Sequence, residues 1–452
     1  MSRGGIVLDR ITAAVDIRTP EGIAAAVSRL IRTGALGAGD RLPTVRDVAA
    51  SLGVSPATVS NAWQALSGVG LITSRGRAGS FVLQASTTWM PPHFGGLAGS
   101  HVEARLDLST GTPDPELLPD LSAALTKAPT RADTASYLSS PVLPDLELHL
   151  RASWPYAVGA ITIVDGALDA VSRALDSLVR FGDRVVVENP GFPPFLDLLE
   201  HLGVTRIPVD VDGEGLVPGQ LARALRLEPV AIILQPRAHN PTGISMSADR
   251  ARELARVLRA SEHIGAPVVI EDDHSGEISS APAHSFGTWL PQRTLHIRSY
   301  AKSHGPDLRI AALGGPEALV DRIVARRMLG PGWTSRMLQT ILFELLTATP
   351  SLTAVHDARR IYQARQRLLA EALVRQGVEH TVSDGINTWI PVADEKASML
   401  TLAAGGVRAA AGSTFDASPD GSLAPHLRLT AGRVRDDFDD LAALLAAAVR
   451  AT

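Results

Sequence analysis

Two hydrophobic periods divide this chain. From Pro20 to Thr33 apolar residues recur at Ile23, Val27, Leu30 and Ile31, which predicts one face of a helix ending at Gly34. After the turn Gly37-Ala38-Gly39, Thr44 is placed to cap a second helix, with Asp47 three residues on and Val45, Val48 and Leu52 facing inward until Gly53. Ser55 caps a third helix whose first position is Pro56, where a missing N–H costs no helical bond. Two short runs follow, Leu71 to Ser74 and Ser80 to Val82, about a tip that carries Arg75 and Arg77. Helix, short turn, helix and hairpin predict a winged helix-turn-helix, which sets one helix in the major groove and the hairpin guanidinium groups against phosphates or the minor groove.

Past Val82 the pattern breaks. The segment 85–105 contains Pro91-Pro92, Gly95-Gly96 and Gly99 without a helical period, and reads as a linker between a domain at 1–84 and another at 106–452. Beyond it, short β-branched runs such as Asp183 to Val187 alternate with Ala/Leu-rich stretches such as Ala248 to Ala260. That alternation predicts βαβ units around a mostly parallel sheet, an α/β fold, with a helix from Asp436 near the end.

Composition narrows the setting. With 452 residues and 45% apolar content, a chain of two or more globular domains is expected. No apolar run reaches the roughly 18 residues of a membrane span, and the charged positions before Arg18 do not read as a secretory signal. The absence of Cys excludes disulfides and thiolate metal sites, and fits a reducing cytoplasm. The net charge is −4, yet residues 1–84 hold nine Arg against five acidic residues, a basic bias consistent with a polyanion partner.

Lysine is scarce: Lys127, Lys302 and Lys396 are the only three. Lys302 follows the predicted strand Thr294 to Ser299, where an amine points to chemistry rather than to a solvated surface. Two more polar clusters sit at strand ends, His239 to Gly243 after Val230 to Leu234, and Glu271 to Asp273 after Pro267 to Ile270. An aldehyde cofactor, pyridoxal phosphate, needs a Lys amine to hold it as a Schiff base, a carboxylate for its ring nitrogen and an Arg for its phosphate. Lys302, Asp272 and Arg309 supply these, and Asn240 a donor to the ring hydroxyl.

The run from Gly39 to Ala49, continued from Leu52 to Val59, resembles the winged helix of GntR-type transcriptional regulators over about residues 20–83. That resemblance implies operator DNA as partner, with Arg41, Thr44, Arg46, Ser55, Thr58, Arg75 and Arg77 as the DNA-facing set. Pro56 stands where the family usually has Arg. From Leu106 onward the chain looks like a fold-type I aminotransferase with a smaller C-terminal α+β part, and the whole resembles the MocR subgroup of GntR regulators.

The resemblance further implies that Gly166 and Ala167 offer helix N-terminal N–H groups to the phosphate, that Phe192 stacks on the ring, and that Ser299 and Ser303 bond the phosphate. Arg428, in His426 to Thr430, is implied to clamp a ligand carboxylate near Gly111, and Tyr137 to reach the phosphate of a partner subunit in a homodimer. Asp165 and His274 replace the family's usual Ser and Tyr; Asp165 must turn away or find an Arg, and His274 would make the ring electronics depend on pH. The function implied is a regulator that binds pyridoxal phosphate and an amino-acid or amine effector. A working aminotransferase with an accessory DNA-binding domain, and a cofactor-free dimerisation scaffold, are the alternatives.

Overall fold

The computed structural model describes residues 3–68, 71–74, 79–83, 90–98, 104–132, 136–261 and 266–452. The chain divides into two compact units: Met1–Pro91 with the short segments Arg180–Asp183 and Asp197–Thr205, and the remainder.

The first unit begins with a helix that the sequence reading missed, α1 (Arg3–Ala14), whose Val7 and Ile11 are buried. Charged residues interleaved among its apolar ones hid the i, i+4 spacing that places those two on one face. The three expected helices follow as α2 (Pro20–Arg32), α3 (Val45–Leu52) and α4 (Pro56–Gly68). Each start is fixed as the sequence dictates. Thr19 Oγ1 accepts from the Gly22 N–H at 3.2 Å, Thr44 Oγ1 from Asp47 N–H at 3.2 Å, and Ser55 Oγ from Thr58 N–H at 3.1 Å. Gly53 ends α3 in the left-handed region at φ 64°, where a side chain would be strained. Ile23, Val27, Val48, Leu52, Val59 and Trp63 form the core, joined by Ile72 and Val82 from the hairpin β1 (Ile72–Ser74) and β2 (Ser80–Val82). These strands pair antiparallel, Ile72 opposite Val82 and Ser74 opposite Ser80. The expected tip residues Arg75 and Arg77 lie outside the described residues.

The second unit is built on an eight-stranded sheet. Its order is Ala160–Val164, Ala311–Gly315, Thr294–Ser299, Val268–Asp273, Ala231–Leu234, Arg184–Asn189, Thr205–Asp212 and Gly215–Leu216. Arg184–Asn189, Ala231–Leu234, Val268–Asp273 and Thr294–Ser299 run parallel, so their carboxyl ends share one edge. Ala311–Gly315 is antiparallel to both its neighbours. The central strands are buried on both faces, which is why they read as continuous apolar runs rather than alternating ones.

A smaller carboxy-terminal part packs the three-stranded sheet Thr388–Pro391, His426–Leu429, Ala410–Ala411 against the helices Thr349–Arg375, Glu395–Ala404 and Phe438–Val449. The segment read as a linker holds a short helix, Pro92–Ala98. Its two glycines masked the period, and Gly96 has a packing reason: a Cβ there would come within 2.9 Å of Thr414 Cγ2. Among the described residues no single helix is long and apolar enough to cross a membrane.

Candidate functional site

At the carboxyl edge of the parallel strands lies a cavity of about 310 Å³. Lys302, Asp272, Asn240, His274, Phe192, Gly166, Ala167, Ser299, Arg309, Gly111 and Arg428 all line it, brought together from positions as far apart in the chain as Gly111 and Arg428. Strand register explains part of this: Val268–Asp273 and Thr294–Ser299 pair with Asp272 beside Ile297, so Asp272 stands one strand from the turn that carries Lys302.

Each wall has a local cause. Gly166, at φ 101°, precedes the helix Ala167–Leu178, whose amino end no side chain caps. Its first-turn N–H groups are therefore free to meet an anion. A Cβ at Gly166 would lie 3.3 Å from Arg309 Nη2, so the glycine lets that guanidinium close over the helix end. Arg309 itself is left-handed at φ 47°, uncommon for a residue with a Cβ. Asp165, expected either to turn away or to find an Arg, does both. Arg327 Nη2 lies 2.9 Å from Asp165 Oδ2 and Thr334 donates to Oδ1 at 2.6 Å, which turns the carboxylate away from the cavity. Phe192 meets Phe195 edge to face at 5.1 Å.

Burial sets the charges. Asp272, 2% exposed, has its pKa pushed up to about 7, chiefly by burial and further by Asp273 and Glu188, while a hydrogen bond from Gln235 opposes the rise. Burial and then Arg428 hold the Lys302 amine down at about 8, and its Nζ donates to the Gly111 carbonyl. Arg428 is 1% exposed and burial lowers it to about 10. Its guanidinium bonds to neutral oxygens, the Ser109 carbonyl and Asn387 Oδ1 at 3.2 Å, and Nε has no partner among the described residues.

His274 departs from expectation. Its Nε2 donates to the Ala238 carbonyl at 2.9 Å, and burial drives its pKa down to about 3, so the ring is neutral near pH 7 and is no physiological proton switch. Ser303, unlike His274, lies elsewhere: its hydroxyl bonds His304 Nδ1 at 2.9 Å and it does not line the cavity. Tyr137 is 88% exposed, 6.3 Å from the Trp333 ring, and away from the cavity of its own chain.

The sequence reading missed Gln235, which donates from Nε2 to Asp272 Oδ2 at 2.8 Å and accepts from the Asn240 N–H at 2.9 Å. Its signal was present, the first polar residue after the apolar run Val230 to Leu234. Phe94 and Leu97, from the short helix, also line the cavity. In the first unit Arg41 and Arg46 are exposed, whereas Thr44, Ser55 and Thr58 bond within their own helix starts.

Residues 104–444 match the family of class I and II aminotransferases, and residues 19–82 the bacterial regulatory proteins of the gntR family. A vitamin B6 salvage pathway transcriptional repressor of Salmonella typhimurium is 37% identical over 445 residues, covering 95% of this chain and 98% of that protein. The chain belongs to the MocR-type GntR regulators. A pyridoxine biosynthesis regulator of Corynebacterium glutamicum is 28% identical over 77% of each chain. Among solved structures, a multiple substrate aminotransferase from Thermococcus profundus (TM-score 0.69, 20% identity) covers 81% of this MocR-type chain and 95% of its own. The aspartate aminotransferase of Thermus thermophilus, solved with maleate, matches at TM-score 0.66 and 20% identity over 77% of this chain and 92% of its own. These two establish the fold of the larger unit.

Proposed function

We propose that this MocR-type regulator binds pyridoxal phosphate in the 310 Å³ cavity and that cofactor and effector together set how its winged helices engage operator DNA. The observation that carries the reading is that two residues lining this cavity, Asp272 and Asn240, each hold a buried Oδ1 without a partner among the described residues. Buried polar atoms are almost always satisfied, so two such atoms on residues that line one cavity call for a polar ligand. When bound, the cofactor supplies an electrophilic aldehyde and an electron-withdrawing ring. Lys302 would hold the aldehyde carbon, Asp272 the ring nitrogen and Asn240, through its amide, the ring oxygen. Gly166, Ala167, Ser299 and Arg309 would hold the phosphate, and Phe192 would pack on the ring face.

Arg428 is the effector residue in this reading, forked onto the carboxylate of an amino acid against Gly111. A buried guanidinium bonded only to neutral oxygens favours an anionic ligand. The Salmonella relative is a repressor of a vitamin B6 salvage pathway, which supports B6 vitamers as a class of signal here also. The protein acts as a homodimer. Tyr137 and Leu138, at 88% and 97% exposure, are apolar surface for a second copy, and Tyr137 would reach the partner's phosphate. DNA is met by α3 and α4, with Arg41 and Arg46 on phosphate or base edges and Arg75 and Arg77 at the hairpin tip.

The test is spectroscopic and functional at once. Protein mixed with pyridoxal phosphate should gain a visible band that borohydride removes irreversibly, and Lys302→Ala should abolish it. Operator affinity should differ between cofactor-free and loaded wild type. A borohydride-sensitive band retained in Lys302→Ala refutes the cofactor assignment, and an operator affinity indifferent to cofactor and amino acids refutes the regulatory one.

A further inference from the structure

Gln235 directly follows the strand Ala231–Leu234, in the segment that runs on to Asn240 and beside the strand that carries Asp272, and both ends of its amide are in use, on Asp272 Oδ2 and the Asn240 N–H. Its backbone N–H donates to Glu188 Oε2 at 2.8 Å, and the same Glu188 oxygen lies 3.3 Å from His239 Nε2. Gln235 is 4% exposed, Glu188 7% and His239 3%, so these contacts form away from bulk water. An amide can donate to a carboxylate through its NH2 while it accepts from a backbone N–H through its oxygen. Among the described residues no other side chain bonds Asp272, which lines the cavity and whose Oδ1 is left without a partner.

We propose that Gln235 is a positioning residue for the cofactor: it pins one oxygen of Asp272 so that the other meets the ring nitrogen, and locks that carboxylate to the segment carrying Asn240. The proposal rests on the reading of the cavity as a pyridoxal-phosphate site.

Charge sharpens the point. Asp273, Glu188 and the Lys302 amine set the field at Asp272; Asp273 is itself held by Arg237 at 2.5 Å, and His274 is neutral. Burial and the two carboxylates favour protonated Asp272, and the Gln235 amide works against them. Without that amide Asp272 takes up a proton more readily and ceases to hold one on the ring nitrogen. The ring then withdraws fewer electrons, and the nitrogen linked to Lys302 keeps its own proton to higher pH.

The experiment compares wild type with Gln235→Met, which keeps the length of the side chain and loses both bonds, and Gln235→Leu, which loses both bonds through a branched side chain that adds no charge. Each is loaded with pyridoxal phosphate or with its N1-methylated analogue, whose ring charge is fixed, and the visible band is followed against pH. With pyridoxal phosphate both variants should raise the midpoint by about one pH unit; with the methylated compound variants and wild type should coincide. Uptake of the methylated compound alone also supports the proposal, because a fixed charge replaces the one Asp272 no longer holds. An unchanged midpoint in a loaded variant overturns it, as does loss of both compounds by both variants, which marks Gln235 as structural. If wild type itself shows no Lys302-dependent band, it is the reading of the cavity that fails.

Discussion

Gly111 and Arg428 occupy one space: a Cβ on Gly111 would overlap Arg428 Nη1, and Gly111 sits at φ 63°, the left-handed region. The glycine is fixed further by Thr430, whose hydroxyl accepts its N–H at 2.8 Å. Gly111→Ala should therefore displace the guanidinium and strain the turn, costing about 1–3 kcal/mol of stability and weakening any carboxylate ligand. Thermal unfolding with and without an amino-acid ligand reads both, and an Ala variant matching wild type in melting temperature and ligand shift would refute the coupling.

That contact shows what sequence can and cannot deliver. Lys302, Asp272 and Asn240 were legible because each follows an apolar strand and carries a residue type that the chemistry demands. Arg428 and Gly111 are 317 positions apart in the chain, and only the family resemblance joined them. Gln235 escaped because an amide at a strand end has no chemistry until its two partners are known. The helix Arg3–Ala14 and the helix Pro92–Ala98 escaped for a different reason: interleaved charges and paired glycines blurred a period that tertiary packing enforces.

His274 and Asp272 predict opposite pH slopes for the cofactor-free protein. The folded pKa of His274 is depressed from 6.5 to about 3, so as pH falls below 6.5 the unfolded chain binds a proton the native state refuses, and stability is lost. Asp272 is raised from 3.8 to about 7, so between those values the native state holds the extra proton and stability is lost as pH rises. Relative to wild type, His274→Asn should gain stability from pH 6.5 down to 5, and Asp272→Asn from pH 5 up to 7, each by at most about 1.4 kcal/mol per pH unit. Urea melts at three pH values check this; slopes of the same sign in both variants would contradict the assigned protonation states.

Arg46 is exposed near the start of α3, while its neighbour Thr44 is spent on the helix cap. Arg46→Ala in the full chain should leave the unfolding temperature within a degree or so, since surface changes of this kind cost about 0.5 kcal/mol or less. It should weaken binding to DNA selected by the wild-type chain from a random pool, and reduce the salt slope of log affinity by about one if Arg46 meets a phosphate. Anisotropy titrations across a salt series measure it. A variant with unaltered affinity at every salt concentration places Arg46 off the DNA.

Arg428 separates a sensor from an enzyme. Its buried fork matches a planar carboxylate, which the single ammonium of Lys cannot reproduce. Arg428→Lys should leave the visible cofactor band in place while lowering amino-acid affinity about tenfold or more, an expectation from the loss of one charge-assisted bond. In a sensor the variant then loses the ligand-dependent change in DNA binding. In an enzyme it loses single-turnover transamination without DNA. Rapid turnover of wild type with an amino donor and a keto acid, combined with DNA occupancy blind to the same ligands, would make this chain a working aminotransferase that carries a DNA-binding domain. Ligand-dependent occupancy without turnover makes Arg428 the residue through which an amino acid is read.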